Sequence, residues 1–357
     1  YYEFKYREAD YGPYPKGLMY YLTMMDSWLY DETKPFIHIE AGDTFDELKK
    51  DARNGYFEKL IKEYLLDNNH KSIISLVPEY GLEKEKEQKE ADKLAEYKST
   101  LTNDELKELV KKTKELKEYQ DTPSSQEDLE KIPMLELSDI KREPAKDYND
   151  VKSVDGIKIV HHNIFTNKIA YINMSFDTKC VPDELIPYMG LLGSTLSLMD
   201  TKNYTYPELT NEININCGGL ATGTALYSDK VDFSKNTIVY EVKSKALYEK
   251  VPFVLGMMEE IMYNTRFDDY KRLKEIIARI KSRLEASLMG QGHSIAMLEC
   301  CAQFSESAYY SDILRGYKYY EFIKKLDEEF EQNKTQIVDK LNKLVGYIFN
   351  KDNVIVS

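Results

Sequence analysis

The chain has 357 residues, of which 42% are hydrophobic and 31% charged, the make-up of a folded protein with more than one core rather than of a disordered segment. Its formal net charge of −13 argues against nucleic acid and anionic membrane as main partners, and no apolar run approaches the ~18 residues that a membrane span needs. Four cysteines, Cys180, Cys217, Cys300 and Cys301, show no C-x-x-C spacing, so reduced thiols in a reducing compartment are expected.

The chain opens at Tyr1 without an initiator methionine, from which a segment of a longer protein is expected. Aromatic loop sequence comes first. After Pro15-Lys16-Gly17, the residues Leu18, Tyr21, Leu22, Met25 and Leu29 fall on one face of a helix, and a second helix is expected from about Thr44. A third places Phe57, Leu60, Ile61, Tyr64 and Leu65 on one side before Asp67-Asn68-Asn69 breaks it. Residues 72–77 then read as a buried strand stopped by Pro78. A lone strand needs partners, which are expected upstream of Tyr1.

Residues 82–119 are almost wholly charged, with thin apolar stripes at helical spacing: Leu82, Ala91, Leu94, Ala95 and Leu101, then Leu106, Leu109, Val110, Thr113 and Leu116. Between the stripes, Thr102 and Glu105 have the S/T-x-x-E spacing of a capping box, which starts a new helix. The pattern predicts two helices and one tight turn, a helical hairpin. Acidic and basic residues nearly cancel in it, so its charge reads as a solvated face with i,i+4 pairs rather than as a groove for nucleic acid. Neither stripe sustains the three or four heptads of a coiled coil, which favours a spacer over a partner-binding module. A linker over 123–144 follows, with a short capped turn expected at Ser124-x-x-Glu127.

The period then changes to two. Ile157, Ile159 and His161 alternate with Lys158, Val160 and His162; Asn167-Lys168 marks a turn; Ala170, Ile172, Met174 and Phe176 alternate in a second strand, so these two runs are expected to open a hairpin. An apolar helix over 183–199 and a helix capped at Thr205-Tyr206-Pro207-Glu208 come next, then strands over 220–226 and 236–242. A helix from about Ala246 turns Val251, Val254, Leu255, Met258 and Ile261 inward, and a basic amphipathic helix over 268–289 ends at Gly290-Gln291-Gly292. Two or three further helices over 295–349 and a terminal strand over 353–356 complete an α+β layout.

None of the residue constellations forms a complete catalytic site. His161 and His162 are adjacent in a strand and point to opposite faces, so they cannot grip one ion. His38 and His70 stand in polar turns, and His293 follows the Gly-Gln-Gly break, where capping or packing outweighs substrate contact. Cys217-Gly218-Gly219 lacks the G-x-G-x-x-G spacing and runs from helix into strand, which points to a close backbone approach rather than a phosphate loop. The series Lys271, Arg272, Lys274, Arg279, Lys281 and Arg283 shares its helix with Glu275 and Glu285 and reads as a solvated outer face.

Several ordered blocks carry a resemblance over essentially the whole chain: "YPKGLMYYLTMMDSWLYD", "TNDELKELVKKTKELKEYQDTP", "IPMLELSDIKREP", "DGIKIVHHNIFTNKIAYINMSFDT", "LIPYMGLLGSTLSLMDTKNYTYPEL" and "GQGHSIAML". In order and spacing the chain resembles the insulinase-like, pitrilysin-type inverzincin metallopeptidases, in the branch of presequence protease and falcilysin. The resemblance implies four similar α+β domains in two bowl-shaped halves that close over a peptide chamber. Their zinc motif, H-x-x-E-H, belongs to the first domain and supplies two His ligands and a Glu base, with a further Glu ligand beyond it. On that resemblance the chain divides into the C-terminal part of one repeat domain (1–80), the charged hairpin linker (81–133) and a non-catalytic α+β repeat domain (134–357).

With residues 200–204 as the counterpart of the turn after the zinc helix, Leu191, Leu192, Gly193, Ser194 and Thr195 stand where H-x-x-E-H would be. None is a zinc ligand, so this repeat is expected to bind no metal and to be structural, with Zn²⁺ held in a domain absent from this chain. The Arg and Tyr contacts that complete the family's site would lie beyond Ser357. Gly218, Gly219 and His293 remain as candidate chamber-lining residues. The expected function is that of an internal segment of a zinc metalloendopeptidase, supplying the hinge and part of the chamber wall, with unfolded peptides and the missing N-terminal catalytic and C-terminal domains as partners. The acidic balance suits cationic peptides such as targeting sequences. The expected location is the bacterial cytosol, or an organelle if a targeting segment lies upstream. The alternatives are a natural non-catalytic subunit of the same superfamily, distinguished by the sequence upstream of Tyr1, and a helical-hairpin adaptor, distinguished by partner loss when Leu94 and Leu109 become Lys.

Overall fold

The computed structural model describes residues 2–140, 142–143, 148–232 and 234–357. It divides into two units, one made of 1–48 with 147–357 and the other of 49–146, whereas the family resemblance placed boundaries after residues 80 and 133.

The first unit is α+β. It begins with three helices, α1 (Tyr2–Glu8), α2 (Lys16–Trp28) and the start of α3 (Gly42–Ala52). Helix α1 replaces the expected aromatic loop: a short helix that buries only Phe4 and Glu8 shows no helical period in the sequence.

Among the described residues six strands form one sheet in the order β1-β2-β6-β3-β5-β4. They are β1 (Asn149–Val154), β2 (Ile157–His162), β3 (Ile169–Asp177), β4 (Gly219–Ser228), β5 (Asn236–Leu247) and β6 (Val354–Val356). The expected hairpin between β2 and β3 does not form, because β6 lies between them, parallel to β2 and antiparallel to β3. The hairpin partner of β2 is β1, an exposed polar strand with no apolar alternation to announce it. Asp155-Gly156 turns that pair with φ of 49° and 84°, the left-handed pair that a tight two-residue hairpin requires. The terminal strand is then locked beside β3 by reciprocal bonds, with Asn173 N donating to Ser357 O and Ser357 N to Asn173 O, each at 2.8 Å.

Helices cover one face of this sheet: α8 (Ile186–Thr195), α9 (Tyr206–Asn216), α10 (Val251–Tyr263), α11 (Tyr270–Gly290), α12 (Gly292–Cys301), α13 (Glu306–Arg315), α14 (Tyr317–Glu328) and α15 (Phe330–Ile348). The apolar helix expected over 183–199 ends its α-helical part at Thr195, and the stretch after α11 holds four helices where two or three were expected, split at Ser305, Gly316 and Glu329. Leu255, expected inward, is exposed on α10, while Val254, Met258 and Ile261 are buried. Alternation along the strands sorts the two sheet faces. Phe176, Tyr240, Val242 and Ala246 join Leu191, Leu192, Met258, Ile277 and Leu341 in the core, each large apolar side chain contributing about 1.5–3 kcal/mol by leaving water. On the other face Asn173, Glu241, Lys243 and Tyr227 form a polar lattice, in which Glu241 accepts from Asn173 Nδ2 at 3.1 Å and Tyr227 Oη at 2.9 Å and pairs with Lys243 at 2.6 Å.

The second unit is helical and lacks buried residues among those described. It contains α4 (Tyr56–Leu60), which continues as a π-helical turn over Ile61–Leu66, then α5 (Leu82–Thr100), α6 (Asn103–Asp121) and α7 (Gln126–Glu130). Residues 72–77 form no strand; Ile73 and Leu76 are 95% and 94% exposed, as follows when an apolar run has no strand to bond with. The capping box at Thr102 forms as expected, with Glu105 N donating to Thr102 Oγ1 at 3.3 Å and Thr102 N to Glu105 Oε2 at 2.8 Å. The expected hairpin is open: α5 and α6 do not pack along their lengths, and Leu94, Leu109, Val110 and Leu116 stay exposed. Extended Leu101 and Thr102 separate the helices, and stripes this thin bury too little area to draw them together. The cap expected at Ser124 belongs to Ser125, whose Oγ accepts from Asp128 N at 3.2 Å.

Candidate functional site

The segment 191–195 lies at the centre of the first unit. Pro187 stands in the first turn of α8, where its missing N–H costs nothing, and the helix then runs across the sheet. Leu191, Leu192 and Thr195 are wholly buried. Thr195 Oγ1 donates back to Leu192 O at 3.0 Å, and Ser194 Oγ to Gly190 O at 3.3 Å, so both hydroxyls are taken up within their own helix. Gly193 is needed for close approach. A Cβ there would stand 3.2 Å from Gly223 Cα, and its carbonyl accepts from Thr222 Oγ1 at 3.0 Å.

The turn after this helix is fixed by a buried carboxylate from α10. Glu260 accepts from Asn203 N at 2.9 Å and from Asn203 Nδ2 and Asn264 Nδ2 at 2.8 Å. Burial works to raise this carboxyl, but its bonds from Thr201, Asn203 and Asn264 win and hold it below the ordinary carboxylate value. Asp200 Oδ1 accepts from Tyr206 N at 2.7 Å, joining the same turn to α9.

These residues do not fit a zinc ion. Leu191 and Leu192 carry no lone pair, the Ser194 and Thr195 hydroxyls are neutral and engaged, and no group of three His, Cys, Asp or Glu among the described residues could hold a metal.

Two cavities flank the sheet. One, of about 470 Å³, lies on the open face and is lined by Glu8, Asp10, His162, Tyr171, Gly219 and Lys245 among others. Tyr171 Oη donates to Glu8 Oε1 at 3.2 Å, and Lys245 forms an ion pair with the same oxygen. Burial, reinforced by Glu8, pushes the Tyr171 phenol up to about 12. Gly219 adopts φ of +148°, which side-chain-bearing residues avoid, and Gly218 lies under the Phe4 ring, where any Cβ would overlap it. The expected tight backbone approach at the head of this strand is therefore made by α1. His162 reaches this cavity, and its neighbour His161 does not line it.

The second cavity, of about 510 Å³, sits where α8, β4, α11, α13 and α14 meet, directly over Gly193 and Ser194. Two members of the basic series on α11, Arg279 and Arg283, line it. The others do not share one solvated face. Arg272 Nε donates to Leu198 O at 3.0 Å and its guanidinium lies 4.0 Å from the Tyr206 ring centre, while Lys274 and Lys281 pair with Glu331 at 2.9 Å and Asp327 at 2.7 Å. These acids are 57 and 46 positions away, beyond the reach of any spacing rule. His293 is exposed at the start of α12 and lines neither cavity.

Comparison with known proteins matches the family model described as peptidase M-16C associated over residues 76–326. "Protein HypA" of Clostridium perfringens is 39% identical over 99% of this chain and 36% of its own length. "Presequence protease 1, chloroplastic/mitochondrial" of Arabidopsis thaliana is 28% identical over 99% of this chain and 33% of its own, and "Presequence protease, mitochondrial" of Yarrowia lipolytica is 26% identical over 92% and 33%. The chain thus spans about a third of the length of these curated relatives.

Proposed function

The chain belongs to the peptidase M-16C associated family, in the insulinase-like group and its presequence protease branch, and on that premise we propose that it is an internal segment of a zinc-dependent metalloendopeptidase that degrades unfolded peptides in a closed chamber. The observation that carries this reading is coverage: relatives named as presequence proteases match over 99% and 92% of this chain. Its own part is structural. The helix at the motif position is built of core leucines and a glycine packed on a strand, which supports a role for the first unit as chamber wall. Residues 82–119 supply the hinge, since two helices whose stripes do not seal against each other, the second with its own capping box, can reorient at Leu101-Thr102 without unmaking a core. A chamber of this kind selects by size, admitting peptides and excluding folded proteins, and turnover requires it to open and reclose. Zinc and the general base belong to a domain outside this chain, and the bacterial cytosol or an organelle is the proposed location. Among the described residues no helix is long and apolar enough to cross a membrane.

The test compares the purified chain with the longer protein. The chain alone should carry no stoichiometric zinc and leave a fluorogenic unfolded peptide intact; the longer protein should cleave it and stop when chelated. Zinc bound by the chain itself, together with cleavage that Thr195→Ala or His293→Ala abolishes, would overturn the reading. For the hinge, a Gly/Ser linker in place of 83–119 should lower peptide turnover in the longer protein, and an unchanged rate would remove that role.

A further inference from the structure

The cavity over Gly193 and Ser194 has a composition that the structural role leaves unexplained. Arg279 and Arg283 from successive turns of α11 and Arg315 from the last turn of α13, all three exposed, line it, and no carboxylate among the described residues does. Arg279 and Arg283 make no ion pair or hydrogen bond with any described residue, and Arg315 makes one long bond, to Ser311 Oγ at 3.4 Å. In a chain of net charge −13, the neighbouring Lys274, Lys281 and Lys318 have each found an acid. Arg315 gains from the C-terminal dipole of its own helix, but Arg279 and Arg283 stand mid-helix, where no such field acts.

The rest of the wall mixes hydroxyls with the apolar side chains of Leu198, Ile280, Leu284 and Leu314. Ser197 and Thr224 bring hydroxyls that bond to no described residue, and Tyr319, only 4% exposed, lines the cavity with a hydroxyl that has no hydrogen-bond partner among the described residues, whereas the Ser194 and Thr222 hydroxyls are already donated to Gly190 O and Gly193 O. The room exists because small residues line it: Gly190, Gly193 and Gly223 leave the helix pressed against Tyr319 on one side and β4 on the other. Guanidinium forks, hydroxyl donors and no acceptor charge together match one ligand chemistry, an oxyanion with more than one negative charge.

We propose that Arg279, Arg283 and Arg315, with the hydroxyls of Ser197, Thr224 and Tyr319, form an anion-binding site that takes a phosphate or polycarboxylate group of charge −2 or greater. This stands apart from the peptidase reading and does not require it.

Thermal denaturation of the 357-residue chain at fixed ionic strength tests it, with pyrophosphate and citrate as probes and sodium chloride as the control. A specific site raises the melting temperature in a saturable manner by mass action. The larger response to pyrophosphate would assign a phosphate ligand, and the larger response to citrate a carboxylate; either supports the site. In the double variant Arg279→Gln with Arg283→Gln the response should move to at least ~tenfold higher probe concentration, since each charge-assisted bond lost costs about a factor of ten. If that variant melts lower without probe, Arg315→Gln, on a different helix, replaces it. Absence of a saturable response in the unmodified chain, or an equal response in the variants, would overturn the proposal.

Discussion

Truncating Leu191 to Ala tests most directly whether helix α8 is core or site. Leu191 is wholly buried on α8 and belongs to the cluster that joins the sheet to α10, α11 and α15. Removing its three outer carbons forfeits their transfer free energy and leaves a void that the rest of that close-packed cluster can fill only in part. Substitutions of this kind cost about 2–5 kcal/mol, and the central position of Leu191 places the expectation near ~3 kcal/mol. For a domain of this size each kcal/mol lowers the melting temperature by roughly 2–4 °C, so a fall of about 6–12 °C is expected. Calorimetry of the first unit's transition gives the shift, and urea denaturation should show a lower midpoint at unchanged slope. A loss under about 0.5 kcal/mol, the range of surface substitutions, would refute the assignment of this helix to the core.

Four further outcomes follow from other residues of the two units. Gly193→Val places carbon where Gly223 Cα and Thr222 O stand 3.2 and 3.3 Å from the first new atom; it should push α8 off β4 and destabilise by about 1–3 kcal/mol in urea denaturation. The Glu260 carboxyl is held below its ordinary value, so it contributes stability that is present above the unfolded carboxylate range and is lost as pH falls through the lowered folded value. Acid titration of unfolding free energy should therefore show a shallower fall below about pH 4.5 in Glu260→Gln than in the unmodified chain, and identical slopes would contradict the assignment. Thr102→Ala removes the oxygen that accepts from Glu105 N and should cost α6 about 1 kcal/mol, read as faster amide exchange over its first turn with no change in α8. Tyr171 is raised to about 12, so its contribution is complete below the ordinary phenol value near 10 and disappears as pH rises through 12; ultraviolet titration should lose a late-ionising phenolate in Tyr171→Phe, and loss of an ordinary one instead would contradict the packing of Glu8 against it.

Local chemistry was legible without coordinates. The capping boxes at Thr102 and Thr205, the Asp67-Asn68-Asn69 break and the alternation of Ile172, Met174 and Phe176 each depend on residues within a few positions of one another, and each took its expected form. That Leu191 and Leu192 are no metal ligands was equally plain, since a leucine offers no lone pair in any fold.

What depended on partners distant in sequence was settled only by the tertiary structure. Residues 72–77 have the composition of a strand and none of its bonds, because strand formation requires a neighbour that propensity does not supply. The two runs around Asn167-Lys168 read as a hairpin, yet β6, nearly two hundred residues on, takes the place between them. The apolar stripes of α5 and α6 predicted a hairpin that their small area does not close. The same holds for the cavity: Arg279 and Arg283 look like their basic neighbours along α11, and only the packing of α13 and α14 shows which cations are paired and which line a cavity. Sequence determined the period, the caps and the missing ligands, because those are local; the fold decided the pairing of strands and charges, because those are distances between residues far apart in the chain.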